Sequence, residues 1–416
     1  MSDFASPRGM RDFYPEDMRL RNRIFDAWRH AAVASGFQQY DACVVESLEL
    51  LQRKAGEEIV NQIYAFEDKS GRKLALRPEM TPTLARMVAA KQGSLLFPIK
   101  WFTIAQCFRY ERMTRGRKRE HYQLNLDIIA EDSVSAEAEV LYGAIAALRK
   151  MGVPDSVYKV RLSNRALLSE LLASLGVPAE SHAGVFIALD KKGKISEAEI
   201  EELMRAQGLD DQACAAAFNL TNIASLDDAA KIAGPDSPAI ARITELFDLL
   251  SIYGIREQIV FDISVIRGLA YYTGIVFEAF DTEGKFRAIF GGGRYDGLLS
   301  TIGGKPASAV GLGFGDVVIG EIIEELKLPG IDTHECIAIG YMTDEERTAA
   351  TRLTGKLRAE GCNVTLQLSP TKAKVFFAFA SLNATEAVYI GPDDRILGKA
   401  KMKHLATREQ TELDLL

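Results

Sequence analysis

The polar chemistry of this chain is concentrated at residues 101–130, WFTIAQCFRYERMTRGRKREHYQLNLDIIA. Two runs of alternating character flank a segment rich in Arg, Thr and Gly, which predicts an antiparallel hairpin with a long tip. Alternation sets Arg109 and Glu111 on one face of the first strand, and His121, Gln123, Asn125 and Asp127 on one face of the return strand. Tyr122, Leu124, Leu126 and Ile128 then face a core. Asn and Asp are depleted in strands, yet here they alternate with β-formers, which suits a polar ligand above the sheet better than a solvated surface. The tip, 112–119, carries Arg112, Arg115, Arg117, Lys118 and Arg119 with no acid among them. Guanidinium groups pair bidentately with phosphate oxygens, so the tip suits polyphosphate or a nucleic-acid backbone.

Other stretches offer complementary groups. In LALRPEMTPTLARM (74–87), Glu79 stands at a strand end facing the basic hairpin, where its carboxylate can hold an ammonium group. Thr81 taken alone reads as a helix N-cap. In RGLAYYTG (267–274), beside Arg267, glycines bracket two tyrosines, and glycines allow close approach of a ligand. GGGRYD (291–296) ends another strand, and on its own it could be only a tight turn. Together the two suggest a small-molecule pocket. In SAVGLGFGDVVIGEII (308–323), a Gly-rich strand enters a helix. The spacing of Gly311, Gly313 and Gly315 does not match GxGxxG, which excludes a dinucleotide fold.

Several elements must hold these groups in place. An amphipathic helix is expected over 17–35, with Leu20, Ile24, Ala27, Trp28 and Ala31 on one face and Gly36 as its stop. Met10, Arg11 and Pro15 precede it, where they could line a site or anchor the terminus, and sequence alone favours the anchor. From 162 to about 253 the pattern turns helical, with a capping box at Ser196 and Glu199. A strand is expected at 259–265. LKLPGID (326–332) reads as a linker, beyond which a βαβαβ alternation predicts a small, mostly parallel α/β domain. The 416 residues are 47% hydrophobic and 26% charged, an ordinary globular composition with room for more than one domain. A net charge of −7 argues against indiscriminate nucleic-acid coating but permits a local grip. Five cysteines without CxxC spacing indicate neither a zinc site nor a disulfide framework. With no apolar run of spanning length and no signal-peptide segment, a soluble cytoplasmic protein with no membrane partner is expected.

Taken in order, LRPEMTPT, FRYERMTRGRKREHYQ, RGLAYYTGIVFE and GGGRYDGL, followed by the C-terminal α/β domain, resemble the histidyl-tRNA synthetases, class II aminoacyl-tRNA synthetases, along essentially the whole chain. The resemblance implies an α+β fold. Residues 1–327 would form a class II catalytic domain on an antiparallel sheet, with a helical insertion at about 165–253. Residues 332–416 would form an anticodon-binding domain. It implies an enzyme that activates L-histidine with ATP and Mg2+ and transfers it to tRNA(His), and that works as a homodimer.

By matching position, Arg109 and Arg267 would be the catalytic arginines on either side of the ATP α-phosphate. Glu111 would face adenine, and Arg117 the terminal phosphates. Glu79, Thr81 and Gln123 would hold the backbone groups of histidine, while Asp127 and Tyr272 read its imidazole and Tyr271 and Tyr295 line the pocket. Arg115, Lys118 and Arg119 are the candidates for tRNA contact, and no protein metal site is expected. Three positions depart from the family pattern. Val318 stands where an arginine usually stacks on adenine, Cys43 where the first motif has proline, and Ala270 where an acid follows RGL. The alternative is a non-catalytic, synthetase-like regulatory subunit of histidine biosynthesis. Such subunits generally lack the C-terminal domain and much of the basic tip, both of which are present here.

Overall fold

The computed structural model describes residues 4–53, 57–193, 195–234, 236–266, 271–328 and 336–415. The chain divides into two compact units, Met1–Leu328 and Pro329–Leu416. The linker expected at 326–332 lies largely outside the described residues, as do Arg267 and Ala270.

In the first unit the strands run, in chain order, β1 (Gln38–Gln39), β2 (Val45–Ser47), β3 (Ala65–Glu67), β4 (Lys73–Leu76), β5 (Ile99–Phe108), β6 (Glu120–Ile129), β7 (Tyr158–Asn164), β8 (Ile259–Phe261), β9 (Ile275–Asp281), β10 (Phe290–Arg294) and β11 (Ala309–Gly315). Eight form one sheet in the order β1-β5-β6-β11-β10-β9-β7-β8. Its pairs are antiparallel except β1 with β5 and β7 with β8 at the two edges. A small antiparallel sheet, β2-β4-β3, leads into the helix Thr81–Lys91.

One face of the large sheet is core. Leu124, Leu126, Leu312, Phe314 and Phe290 are buried there with Trp28 and Ile24 of the helix Pro15–Ala34. Trp28 meets Phe314 edge-on at 5.3 Å. Each such side chain contributes about 1.5–3 kcal/mol by leaving water. The helix Ser135–Lys150 lies close enough that a Cβ on Gly143 would fall 2.9 Å from the Leu126 side chain. The first helix starts two residues earlier than its apolar pattern predicts, because Pro15 at N1 loses no hydrogen bond there.

Between β7 and β8 the chain forms six helices, Arg165–Ser174, Ala179–Leu189, Glu197–Arg205, Asp211–Leu220, Leu226–Ala233 and Pro238–Ile252. The Ser196/Glu199 capping box forms as its sequence predicts. Among the described residues no single helix is long and apolar enough to cross a membrane.

The second unit has parallel strands β12 (Cys336–Tyr341), β13 (Asn363–Leu366) and β14 (Glu386–Ile390), with helices Arg347–Ala359 and Ala373–Asn383 between them. Two antiparallel strands, β15 (Lys399–His404) and β16 (Gln410–Asp414), extend this sheet. Their composition hides them: KAKMKH and QTELD are charged, and QTELD, largely exposed, forms an edge of the sheet.

Candidate active site

The other face of the large sheet floors a cleft of about 1900 Å³. Strand register explains why it is open. Gly311, Gly313 and Gly315 of β11 stand opposite Asp127, Asn125 and Gln123 of β6, and Gly293 and Gly291 of β10 stand opposite Gly311 and Gly313. Facing glycines at two registers, continued by Gly315, leave a bare strip of backbone. A Cβ on Gly311 would sit 2.0 Å from Asp127 Oδ1, and one on Gly313 would sit 2.5 Å from Gln123 Nε2. GLGFG is therefore a clearance pattern for the polar side chains of β6. GGGR, the end of a strand as read from sequence rather than a tight turn, forms the last four residues of β10.

At one end of the floor, Glu79, Thr81, Gln123, Tyr271, Tyr272 and Tyr295 line the cleft. Tyr271 donates to Glu79 Oε2 at 3.1 Å. The Tyr271 ring lies 4.9 Å from that of Tyr272 and 5.8 Å from that of Tyr295. Gln123 Nε2 donates to Asn125 Oδ1 at 2.9 Å. Thr81 is not the N-cap its sequence suggests. Met80 occupies that place, no side chain caps the helix, and the buried Thr81 turns to the cleft. Asp127 is 1% exposed and stands one layer behind the lining, accepting from Tyr295 Oη at 2.6 Å. Its other oxygen has no hydrogen-bond partner. Burial pushes the Asp127 carboxyl up to about 7, helped by Glu79 and opposed by the Tyr295 hydrogen bond. Burial and Asp127 in turn raise Tyr295 well above its ordinary range.

The other end is cationic, lined by Arg109, Glu111, Arg117, Lys118, His121 and Arg287. Arg109 and Glu111 lie beyond the strand expected to carry them. The β5–β6 ladder ends at Phe108 opposite Glu120, after which Tyr110 N–H turns to Gln62 and Glu111 N–H to Arg109. Arg109 keeps its place because its N–H donates to the Arg119 carbonyl at 2.9 Å and its Nε to the Pro78 carbonyl at 2.9 Å. Arg117 pairs with Glu111 at 2.9 Å. His121 is pushed down to about 3, chiefly by burial and then by Arg109, so the ring is neutral.

The tip is less free than its sequence suggests. Its own residues include no acid, but the helix Asp316–Glu325 supplies two. Arg115 pairs with Glu325 at 2.6 Å and approaches Glu321 at 3.5 Å, while Gly116 N–H donates to Glu321 at 3.0 Å. Arg115 also stacks over Phe286 at 4.3 Å. The Arg119 guanidinium lies 3.9 Å from the centre of the Tyr110 ring. Of the three tRNA-contact candidates, Arg115 and Arg119 are thus engaged within the protein, and Lys118 lines the cleft.

Two motif arginines are structural. Arg294 of GGGRYD makes a buried bidentate pair with Glu137 at 2.7 and 2.6 Å and turns away from the cleft. Arg77 of LRPE is buried against the carbonyls of Gln106 and Ala42, both at 2.9 Å. Sequence reasoning put His121 and Asn125 on the ligand-facing side of β6 without a specific role and did not single out Glu278 or Arg287; all four line the cleft. Period-two alternation along β9 would have found Glu278, the single charge inside IVFEAF. Arg287, in the loop before β10, carried no such signal.

The family model for histidyl-tRNA synthetase matches residues 9–315. A histidine–tRNA ligase of Arabidopsis thaliana, described as chloroplastic/mitochondrial, is 45% identical over 99% of this chain and 85% of its own length. A histidine–tRNA ligase of Opitutus terrae is 39% identical over 99% of this chain and 96% of its own. The crystal structure of an ATP phosphoribosyltransferase regulatory subunit/histidyl-tRNA synthetase from Bacillus halodurans superposes with a TM-score of 0.78 at 26% identity, covering 94% of this chain and 99% of that one. The chain belongs to the histidyl-tRNA synthetase family.

Within that family's pattern, the departures fall at identifiable places. Val318 lies in the first turn of Asp316–Glu325 and lines the cleft, and a Cβ on Gly116 would come 3.1 Å from it. The valine thus packs under the tip of the synthetase hairpin. Cys43 is exposed, with its thiol 3.6 Å from Glu46 and 3.7 Å from Arg86.

Proposed function

We propose that the protein is a histidine–tRNA ligase, which joins L-histidine to ATP as histidyl-adenylate and then transfers the histidyl group to tRNA(His). What carries this function is a single glycine-floored cleft with an acidic, tyrosine-lined end and a cationic end. That is the shape required to hold a zwitterionic amino acid beside a polyphosphate. In this reading Glu79 accepts from the α-ammonium of histidine, with Thr81 and Gln123 completing its backbone contacts. Asp127, from behind the lining, and Tyr272 read the ring, while Tyr271 holds Glu79 and Tyr295 holds Asp127 in place. Buried polar contacts of this type reject isosteres that lack the ring nitrogens by ~10⁴-fold or more.

Arg109 would face the ATP α-phosphate, Glu111 the adenine and Arg117 the outer phosphates. ATP would then replace Glu111 as the partner of Arg117. A histidine carboxylate oxygen attacks the α-phosphorus, a new O–P bond forms, and pyrophosphate leaves with the electrons of the broken bond. Fixed arginines stabilise the charge that builds up, and no proton transfer is required. Sequence resemblance assigns Arg267 the opposite flank. ATP is the substrate that the family implies. Among the described residues no three His, Cys, Asp or Glu side chains gather into a metal-ligand set. Magnesium is expected with ATP, where it would bridge the phosphates and neutralise the leaving group.

A homodimer in the cytoplasm, with residues 332–416 reading the anticodon and Lys118, Arg115 and Arg119 reached by tRNA, completes the proposal. The test is pyrophosphate exchange into ATP by purified protein. Exchange should depend on histidine. Stimulation by a different amino acid refutes the assignment, and no exchange with any amino acid favours the regulatory alternative.

A further inference from the structure

We propose that Arg11, ahead of the first helix, is a positioning residue for the ATP end of the cleft. This inference rests on the ligase function above. Arg11 lies outside the cleft lining, yet its guanidinium joins two parts of the cleft wall. Nε lies 3.0 Å from Glu120 Oε1, and Nη2 lies 2.9 Å from Asp316 Oδ2. Glu120 is the first residue of β6, at the root of the cationic tip and next to His121. Asp316 opens the helix whose Val318 and Glu321 support that tip.

Both carboxylates are buried and each has a further task. Glu120 accepts from Gln106 Nε2 at 2.6 Å, and Asp316 accepts from Tyr122 N–H at 2.9 Å. Burial raises the Asp316 carboxyl, Glu120 adds to the rise, and Arg11 opposes it. Without the guanidinium, two buried acids would face each other with no cation between them, and the tip root and helix start would separate.

A second connection runs from the same segment. The Gly9 carbonyl accepts the Arg119 N–H at 3.0 Å, and the Arg119 carbonyl accepts the Arg109 N–H at 2.9 Å. Two backbone hydrogen bonds thus link residue 9 to the arginine assigned to the α-phosphate. Gly9 has φ +90°, and a Cβ there would lie 2.8 Å from Arg119 Cγ. The segment that could anchor the terminus is therefore fastened to the return leg of the hairpin tip and, through Arg119, linked to Arg109 on the outgoing leg. The contacts of this network run to the tip, to the start of the helix Asp316–Glu325 and to the arginine assigned to the α-phosphate, so its loss should be felt by ATP more than by histidine.

The test is histidine-dependent pyrophosphate exchange by the full chain, with KM for each substrate, active-site titration and equilibrium dialysis of histidine. Displacement of a reacting group by ~1 Å costs up to ~10²-fold, and loss of a charge-assisted contact costs about tenfold. Arg11→Gln should raise KM for ATP about tenfold or more, with histidine binding within twofold and the active-site fraction unchanged. Arg11→Lys, which keeps the charge but not the fork, should recover part of the loss. Gly9→Ala leaves both ion pairs in place and should reproduce the ATP effect, which keeps the test decisive if Arg11→Gln fails to fold. Equal losses for both substrates with fewer active sites, or no change in either variant, overturn the positioning role. Absence of exchange by the wild type refutes the ligase function itself, and the inference with it.

Discussion

Asp127→Asn should stabilise the free protein in mildly alkaline buffer while disabling histidine recognition. The unfolded carboxyl deprotonates near its ordinary 3.8, but the folded one does so only at about 7. Between those values the native state holds a proton that the unfolded chain has released, so this group makes stability fall as pH rises. Fully ionising it in the fold costs up to ~4 kcal/mol, of which about 3 kcal/mol is lost between about pH 5 and about pH 8.5. Asparagine cannot ionise and still accepts from Tyr295. Its amide, however, replaces an oxygen that has no hydrogen-bond partner, at a cost of ~1–3 kcal/mol. The variant should therefore be level with the wild type or weaker near pH 5 and more stable near pH 8.5. Urea unfolding at several pH values measures this, with the difference between variant and wild type isolating Asp127 from other acids. A difference that stays constant with pH refutes the buried, proton-holding Asp127. On the functional side, the same variant should lose histidine affinity by ~10²-fold or more, because an amide replaces the buried carboxyl proposed to read the ring from behind the lining.

Three further outcomes are expected. Gly311→Ala puts a Cβ 2.0 Å from Asp127 Oδ1, so it should cost ~1–3 kcal/mol in urea unfolding and raise KM for histidine. Arg109→Ala should slow adenylate formation by ~10²–10³-fold in single-turnover assays while dialysis shows histidine still bound; a surviving rate refutes its phosphate role. Neutralising Lys118 and Arg115 together should weaken tRNA binding and lower its salt slope by ~1–2, with less from Arg115 because it already pairs with Glu325. An unchanged slope removes the tip from tRNA contact.

The sequence was most legible where a period of two or 3.6 coincided with burial. β6, the first helix and β12 to β14 follow from alternation and apolar spacing, because water enforces that pattern wherever one face is core. It was least legible at junctions. Arg109 and Glu111 continue the alternation of β5, but the ladder ends at Phe108 because the chain turns to meet Gln62 and Gly9 is tied to the return leg. Thr81 has the composition of a cap, but the helix starts one residue too early for it to serve as one.

What the sequence determined by itself is the inventory: the polar face of β6, the basic tip, the tyrosine pairs and the spacing of the glycines, together with the family these motifs mark. Only the tertiary structure decided which of those groups meet. Strand register brought Gly311 and Gly313 beside Asp127 and Gln123 and turned a glycine repeat into clearance for a pocket floor. The packing of Asp316–Glu325 against the tip gave an acid-free loop its acids, and Arg294 found Glu137 across the core. Such pairings depend on residues more than a hundred positions apart, and no local pattern encodes them, because their free energy exists only once the intervening chain has been packed.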